Sequence, residues 1–204
     1  MSDHRPYHHG ALRQALIDAA ETILAERGVE GLSLRDCARR IGVSHAAPKH
    51  HFADKTALLT AVAAEGYRAM TDIMDRRRTQ AGDDPEIALR AVGLGYIEFA
   101  ASRPSSFRLM FGETTLRAND AELERAAEAA FGRLEQTMAA VERAHGVQTQ
   151  SPRERRMLAW TSVHGFATLW LAGRLQNAFG IGDDVESALA VADQFLAVVR
   201  PWRV

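Results

Sequence analysis

The 204-residue chain is 47% hydrophobic and 25% charged with a formal net charge of -1, which excludes a disordered chain and a strongly basic one and fits a packed globular protein. That length allows a small and a larger helical unit, each with its own core. The single cysteine, Cys37, cannot close an internal disulfide, and no apolar segment follows a basic N-terminus as a secretory signal would, so the expected compartment is the reducing cytoplasm.

Residues 1–10 read as an N-terminal arm. His4, His8 and His9 lie there, but they lack the second ligand pair of a structural metal site, and no metal or cofactor is expected. Leu12, Leu16, Ala20, Ile23 and Leu24 recur at helical spacing and predict a first helix over 11–27, closed at Gly28. Ser33, with Asp36 three residues on, has the pattern of a capping box, and Leu34, Cys37, Ala38 and Ile41 supply the buried face of a second helix ending before Gly42. Ser44 is placed to cap a third, short helix that carries Ala47 and Phe52 inward. Asp54 is placed to cap a fourth running through Leu58, Leu59 and Val62. Pro48 falls near the end of the first turn of the third helix, where its missing N–H costs less than in a helix interior.

Charge is concentrated in this region. Between residues 31 and 56 five basic side chains face two acidic ones, and the only lysines of the chain, Lys49 and Lys55, both fall inside the window. A helix, a Gly turn, a buried Val43 and a fresh N-cap are the parts of a helix-turn-helix. Arg40, Ser44, His45, Ala46, Lys49, His50, His51 and Lys55 are the residues expected to meet double-stranded DNA, while a merely solvated face is the competing account for Arg40, His50 and His51.

Beyond Glu65 the pattern stays helical, with breaks at 82–85, 103–104, 112, 146–152 and 180–184. Leu123, Ala127, Phe131, Leu134, Met138 and Val141 mark one long amphipathic helix. The longest uncharged stretch, 157–173, contains Thr161, Ser162, His164, Thr168 and two glycines and is a poor membrane span, so no membrane partner is expected. Val185, Leu189, Ala192, Leu196 and Val199 form a seam like the a/d positions of a coiled coil. The expected fold is all-α: an N-terminal three-helix helix-turn-helix domain at 11–58, then a C-terminal helical bundle at 59–204.

The run at 43–59, VSHAAPKHHFADKTALL, closely resembles the signature of the tetracycline-repressor-like (TetR) family, and the resemblance covers about residues 8–60. It implies that residues 44–52 form the recognition helix and that Lys55 matches a Lys that touches the DNA backbone. The family's usual Tyr is replaced here by Lys49, a departure that exchanges a hydroxyl donor for a charged one. Tyr7-His8-His9-Gly10 and the Trp160-to-Gly165 element, a Trp-x-x-x-His-Gly pattern, resemble one branch of the same family, with residues 104–111 as a further family-like element. The resemblance implies a regulator that binds a palindromic operator as a homodimer through its last two helices, senses a small-molecule effector in its C-terminal domain, and acts by repression.

Met70, Met74, Phe99, Phe107, Met110, Phe111, Met138, Trp160 and His164 are an adaptable, aromatic set suited to an effector pocket, although each is also a natural core residue. Two other functions stay open at this level. One is a helical enzyme using His164 with Glu98 or Glu113, for which the sequence offers no phosphate loop, metal spacing or nucleophile elbow. The other is an architectural DNA-binding protein that senses nothing.

Overall fold

The computed structural model describes residues 9–114, 116–147 and 152–201; most of the expected arm, residues 1–8, lies outside them. Regular structure among the described residues is helical throughout: α1 (His9–Arg27), α2 (Leu34–Arg40), a 3-10 helix (Ala47–His50), α3 (Lys55–Gln80), α4 (Pro85–Ser102), α5 (Pro104–Phe111), α6 (Ala121–Ala144), α7 (Pro152–Leu171), α8 (Arg174–Phe179) and α9 (Val185–Val198). The chain divides into two compact units. The first holds the chain up to Gly66 together with Ser105–Glu124, and the second holds Tyr67–Pro104 and the chain from Arg125 onward.

In the first unit, α1 buries Leu16, Ile17, Ala20, Ile23 and Leu24, an i, i+1, i+4, i+7, i+8 stripe, and α2 buries Cys37 and Ala38. The Ser33 cap forms, with the Asp36 carboxylate meeting the Ser33 hydroxyl and not its backbone N–H: Ser33 is extended (φ -140°) and its hydroxyl oxygen accepts from the Asp36 N–H at 3.1 Å. Gly42 sits at φ +72°, and the Val43 N–H returns to the Ala38 carbonyl at 3.0 Å. A Cβ there would meet nothing within 4 Å, so this position favours glycine through its backbone angle and not through crowding.

The third helix departs from expectation. An α-helix capped by Ser44 would close its first hydrogen bond from the N–H of residue 48, and Pro48 has none. The chain instead closes tighter rings, Ala47 N–H to Ser44 C=O at 3.0 Å and Lys49 N–H to Ala46 C=O at 3.1 Å, giving a 3-10 helix with Ala46 in the N-cap position and no side-chain cap. Pro48 and Phe52 are buried, so this short element is anchored by its apolar side chains. Fully burying a side chain such as Phe52 contributes roughly 1.5–3 kcal/mol.

The segment Ser105–Glu124 is tied to the head by polar links. The Arg13 guanidinium reaches Glu122 at 2.6 Å, the Ser106 hydroxyl reaches Glu21 at 3.3 Å, and Arg117 donates from its backbone N–H to Thr60 Oγ1 and from its side chain to Asp54, both at 2.9 Å.

In the second unit α4 is the central helix, burying ten of its residues, among them Ala88, Leu89, Val92, Tyr96, Ile97 and Phe99. A Cβ on Gly95 would lie 2.7 Å from the Met74 Cα, so glycine lets α3 and α4 touch backbone to backbone. Helix α9 turns Ala188 and Ala192 inward, and Leu196 packs beside Gly93 of α4. Part of the expected a/d seam is therefore internal to the subunit. On α6 the inward residues are Ala126, Ala130, Thr137, Met138 and Val141, while Phe131, expected on the same face, is 41% exposed. Gly173, at φ +69°, makes the turn between α7 and α8.

Candidate nucleic-acid interface

The first unit carries an open depression lined by Ser33, Leu34 and Arg35 from the start of α2, His45, Ala46 and Lys49 around the 3-10 helix, and Lys55 at the start of α3. Three elements converge because the Gly42 turn folds α2 back on the 3-10 helix and Asp54 starts α3 immediately after Phe52. Asp54 holds that start: its carboxylate accepts from the Ala57 N–H at 2.7 Å. That backbone N–H first, and Arg117 second, keep the Asp54 carboxyl below the usual carboxylate range.

The cations of the head fall into two groups. Arg35, Lys49 and Lys55 have no acidic partner among the described residues, and all three line the depression. Arg39 is paired with Asp36, and Arg40 forms a two-pronged bridge to Glu26 with N–O distances of 2.7 and 2.8 Å. Each partner of that bridge favours the charged form of the other, so the Glu26 carboxyl is lowered and the Arg40 guanidinium raised. A cation already neutralised has less to give to a phosphate.

Of the residues singled out from sequence, His45, Ala46, Lys49 and Lys55 are brought together in the depression, and Ser44 and His50 are exposed beside it. His51 is half-buried. Arg40 lies on the solvent face but is engaged by Glu26. Sequence reasoning passed over Arg35, although the signal was there: it lies two residues after the Ser33 cap, off the face that buries Cys37 and Ala38. The Cys37 thiol is pushed up to about 11, first by burial and then by the Asp36 charge, so it is inert packing and no nucleophile.

The residues expected to line an effector pocket divide between the units. Phe107 and Met110 are buried in the first, where Phe107 and Phe111 rings pack at 4.8 Å. Met70, Met74, Phe99 and Met138 are buried in the second, and Trp160 and His164 are half-buried there. His164 Nδ1 lies 2.8 Å from the Tyr96 hydroxyl, a partner that sequence reasoning did not name. Burial lowers the His164 pKa, favouring neutral imidazole, and pushes the Tyr96 phenol upward. Among the described residues no group of His, Cys, Asp and Glu could hold a metal ion, and no helix is long and apolar enough to cross a membrane.

A head in which a glycine turn joins two helical elements and which presents cations with no acidic partner among the described residues defines a helix-turn-helix protein. Comparison with known proteins gives the family. Residues 16–62 match the model of bacterial regulatory proteins of the tetR family, and residues 89–197 match the tetracyclin repressor-like C-terminal domain. A structure of a protein of unknown function from Rhodococcus sp. RHA1 is 32% identical, with a TM-score of 0.77 over 95% of this chain and 97% of that one. The HTH-type transcriptional regulator BetI of Burkholderia cenocepacia (strain HI2424) is 38% identical over 80 residues, 39% of this chain and 41% of the relative, so the match spans less than half of that protein. FadR from Bacillus subtilis, solved in complex with stearoyl-CoA, shares the fold at 15% identity, with a TM-score of 0.67 over 91% of this chain and 96% of that one. The chain belongs to the TetR family. It is by class a DNA-binding transcriptional regulator, and the matched families, BetI and FadR are regulators and not enzymes.

Proposed function

We propose that the protein is a cytoplasmic repressor that grips a palindromic operator as a homodimer and is released by a small molecule held in its C-terminal helices. The observation that carries the DNA-binding part is the depression where Arg35, Lys49 and Lys55 stand together without acidic partners among the described residues. In this reading these three side chains, with His45, Ser44 and His50 beside them, meet phosphates and base edges in the major groove. Arg40 and His51 stand at the margin of that contact. Pro48 makes the recognition element shorter and stiffer than an α-helix, so fewer side chains reach the bases and the phosphate contacts carry more of the affinity.

Dimerisation through the last helices is supported by the apolar side chains they leave outside: Leu169 of α7 is 47% exposed, Phe179 of α8 72% and Val198 of α9 76%. The effector reading rests on the aromatic and methionine-rich interior of the second unit, Met70, Met74, Phe99, Met138, Trp160 and His164. A ligand there acts only through unequal affinity for DNA-competent and DNA-incompetent dimers. The stearoyl-CoA bound by B. subtilis FadR supports an effector with a long apolar part.

The test is selection of random duplexes by the full chain, followed by anisotropy titration of the winning sequence against a scrambled one. A palindrome with half-sites about one helical turn apart is expected. Equal affinity for the scrambled duplex would refute the operator reading and leave an architectural protein in its place.

A further inference from the structure

A carboxylate beside a phosphate-binding face repels what that face holds, and the head has two between residues 31 and 56, Asp36 and Asp54. Asp36 is neutralised locally, because Arg39 lies one turn further along α2 and pairs with it. Asp54 is the residue immediately before Lys55, and its Oδ1 is taken up with starting α3 through the Ala57 N–H. Its neutralising partner comes from 63 residues away, where Arg117 Nη2 donates to Asp54 Oδ2 at 2.9 Å. The Arg117 backbone is fixed independently of this bridge. Its N–H donates to Thr60 Oγ1 at 2.9 Å, and the buried Thr60 hydroxyl donates in turn to the Thr56 carbonyl at 2.8 Å. Just beyond, Asp120 caps α6 by accepting from the Glu122 and Leu123 N–H groups at 3.1 and 3.0 Å. None of these bonds uses the Arg117 side chain. The bridge itself is open to solvent, with the two side chains 43% and 55% exposed, and an ion pair so placed adds little to the stability of a fold.

We infer that Arg117 is a positioning residue for DNA binding: without touching DNA, it cancels the charge of the α3 cap beside Lys55, so that Arg35, Lys49 and Lys55 meet phosphates in an undivided positive field. The inference rests on the DNA-binding reading above and adds to it a residue from outside the helix-turn-helix sequence. The carboxylate cannot simply be dispensed with, because an acceptor at position 54 is what satisfies the first turn of α3. A cap that is negative suits the helix start but opposes an approaching phosphate, and a guanidinium on its second oxygen removes the conflict while leaving the cap in place. The pair is neutral as a unit. Removing both charges should therefore leave DNA affinity where it was, whereas removing the guanidinium alone exposes a carboxylate next to the phosphates in each subunit.

The experiment compares the full-length native protein with three variants by fluorescence anisotropy, on the selected operator and on its scrambled counterpart. Arg117→Gln keeps the backbone bond to Thr60 and should bind both duplexes about fivefold more weakly at about 50 mM salt, with the gap narrowing by about 200 mM as screening shortens the reach of the exposed carboxylate. Arg117→Lys keeps the charge and should bind like the native protein. The deciding variant is Arg117→Gln combined with Asp54→Asn, in which an amide oxygen still caps α3 but no charge remains. It should return to within about twofold of native affinity, although it lacks the bridge as completely as Arg117→Gln does. A merely structural bridge, or a phosphate contact made by Arg117 itself, would leave the combined variant as weak as Arg117→Gln, and that result would overturn the inference. So would native affinity in Arg117→Gln, or a gap that salt does not narrow. A native protein that fails to distinguish operator from scrambled duplex refutes the operator reading instead, and the ratios between variants on either duplex still decide the role of Arg117.

Discussion

The division of the head's cations into paired and unpaired groups makes a quantitative forecast for salt dependence. A dimer presents two copies each of Arg35, Lys49 and Lys55, the side chains that line the depression. If each neutralises one phosphate, the logarithm of operator affinity should fall with the logarithm of salt at a slope near -5, which is about a thousandfold loss between 50 and 200 mM. Replacing any one of the three with Ala removes two contacts per dimer and should flatten the slope by about two units, on specific and scrambled duplexes alike. Arg40→Ala is the internal control, since its guanidinium already holds Glu26 through two bonds, and it should change the slope by less than about one unit. Fluorescence anisotropy over a salt series measures all five proteins. A native slope shallower than about -2 would refute the phosphate assignment. So would unchanged slopes in all three variants, or an Arg40→Ala effect as large as theirs.

Three further outcomes are expected. Glu26→Gln releases Arg40 from its partner, so it should tighten operator binding and steepen the salt slope in the same anisotropy assay; weaker binding would place Arg40 away from the DNA. The full chain should sediment as a dimer at micromolar concentration. A fragment ending at residue 66 should be monomeric, should bind a full operator far more weakly, and should melt lower because it loses the links from Ser106, Arg117 and Glu122. Burial lowers the folded-state pKa of His164 from its ordinary 6.5, so protons bind the unfolded chain first as pH falls. Native stability should therefore drop as pH passes below about 6.5 towards the folded value, and His164→Gln should lose less of its urea midpoint between pH 7.5 and 5.5. An equal loss in both proteins would show that His164 is not held neutral by its surroundings.

What the chain makes legible without a structure is whatever its backbone hydrogen bonds decide over a few residues. Ser33 with Asp36, Gly42 and Asp54 mark the starts and turns of the head, and the spacing of Leu16, Ala20, Ile23 and Leu24 marks its buried face, because caps and helical stripes act within one or two turns. The family resemblance and the two lysines point to the proposed DNA contact on the same grounds. Pro48 was visible too, but its effect depended on register: only where residue 44 starts the element does the missing N–H remove the first α-helical bond and leave a 3-10 turn. The rest needed tertiary structure, because it joins residues far apart in the chain. Glu26 takes Arg40 out of the set of unpaired cations across 14 residues, and Arg117 reaches Asp54 across 63. Tyr96 finds His164 across 68, on a helix that no local pattern brings to its side. Periodicity says which face of α6 is apolar, yet packing turns Phe131 outward against the Trp160 edge and buries Ala126, Ala130 and Met138 in its place. A side chain's neighbours along one helix follow from 3.6 residues per turn, whereas its neighbours on other helices follow from how the whole core closes.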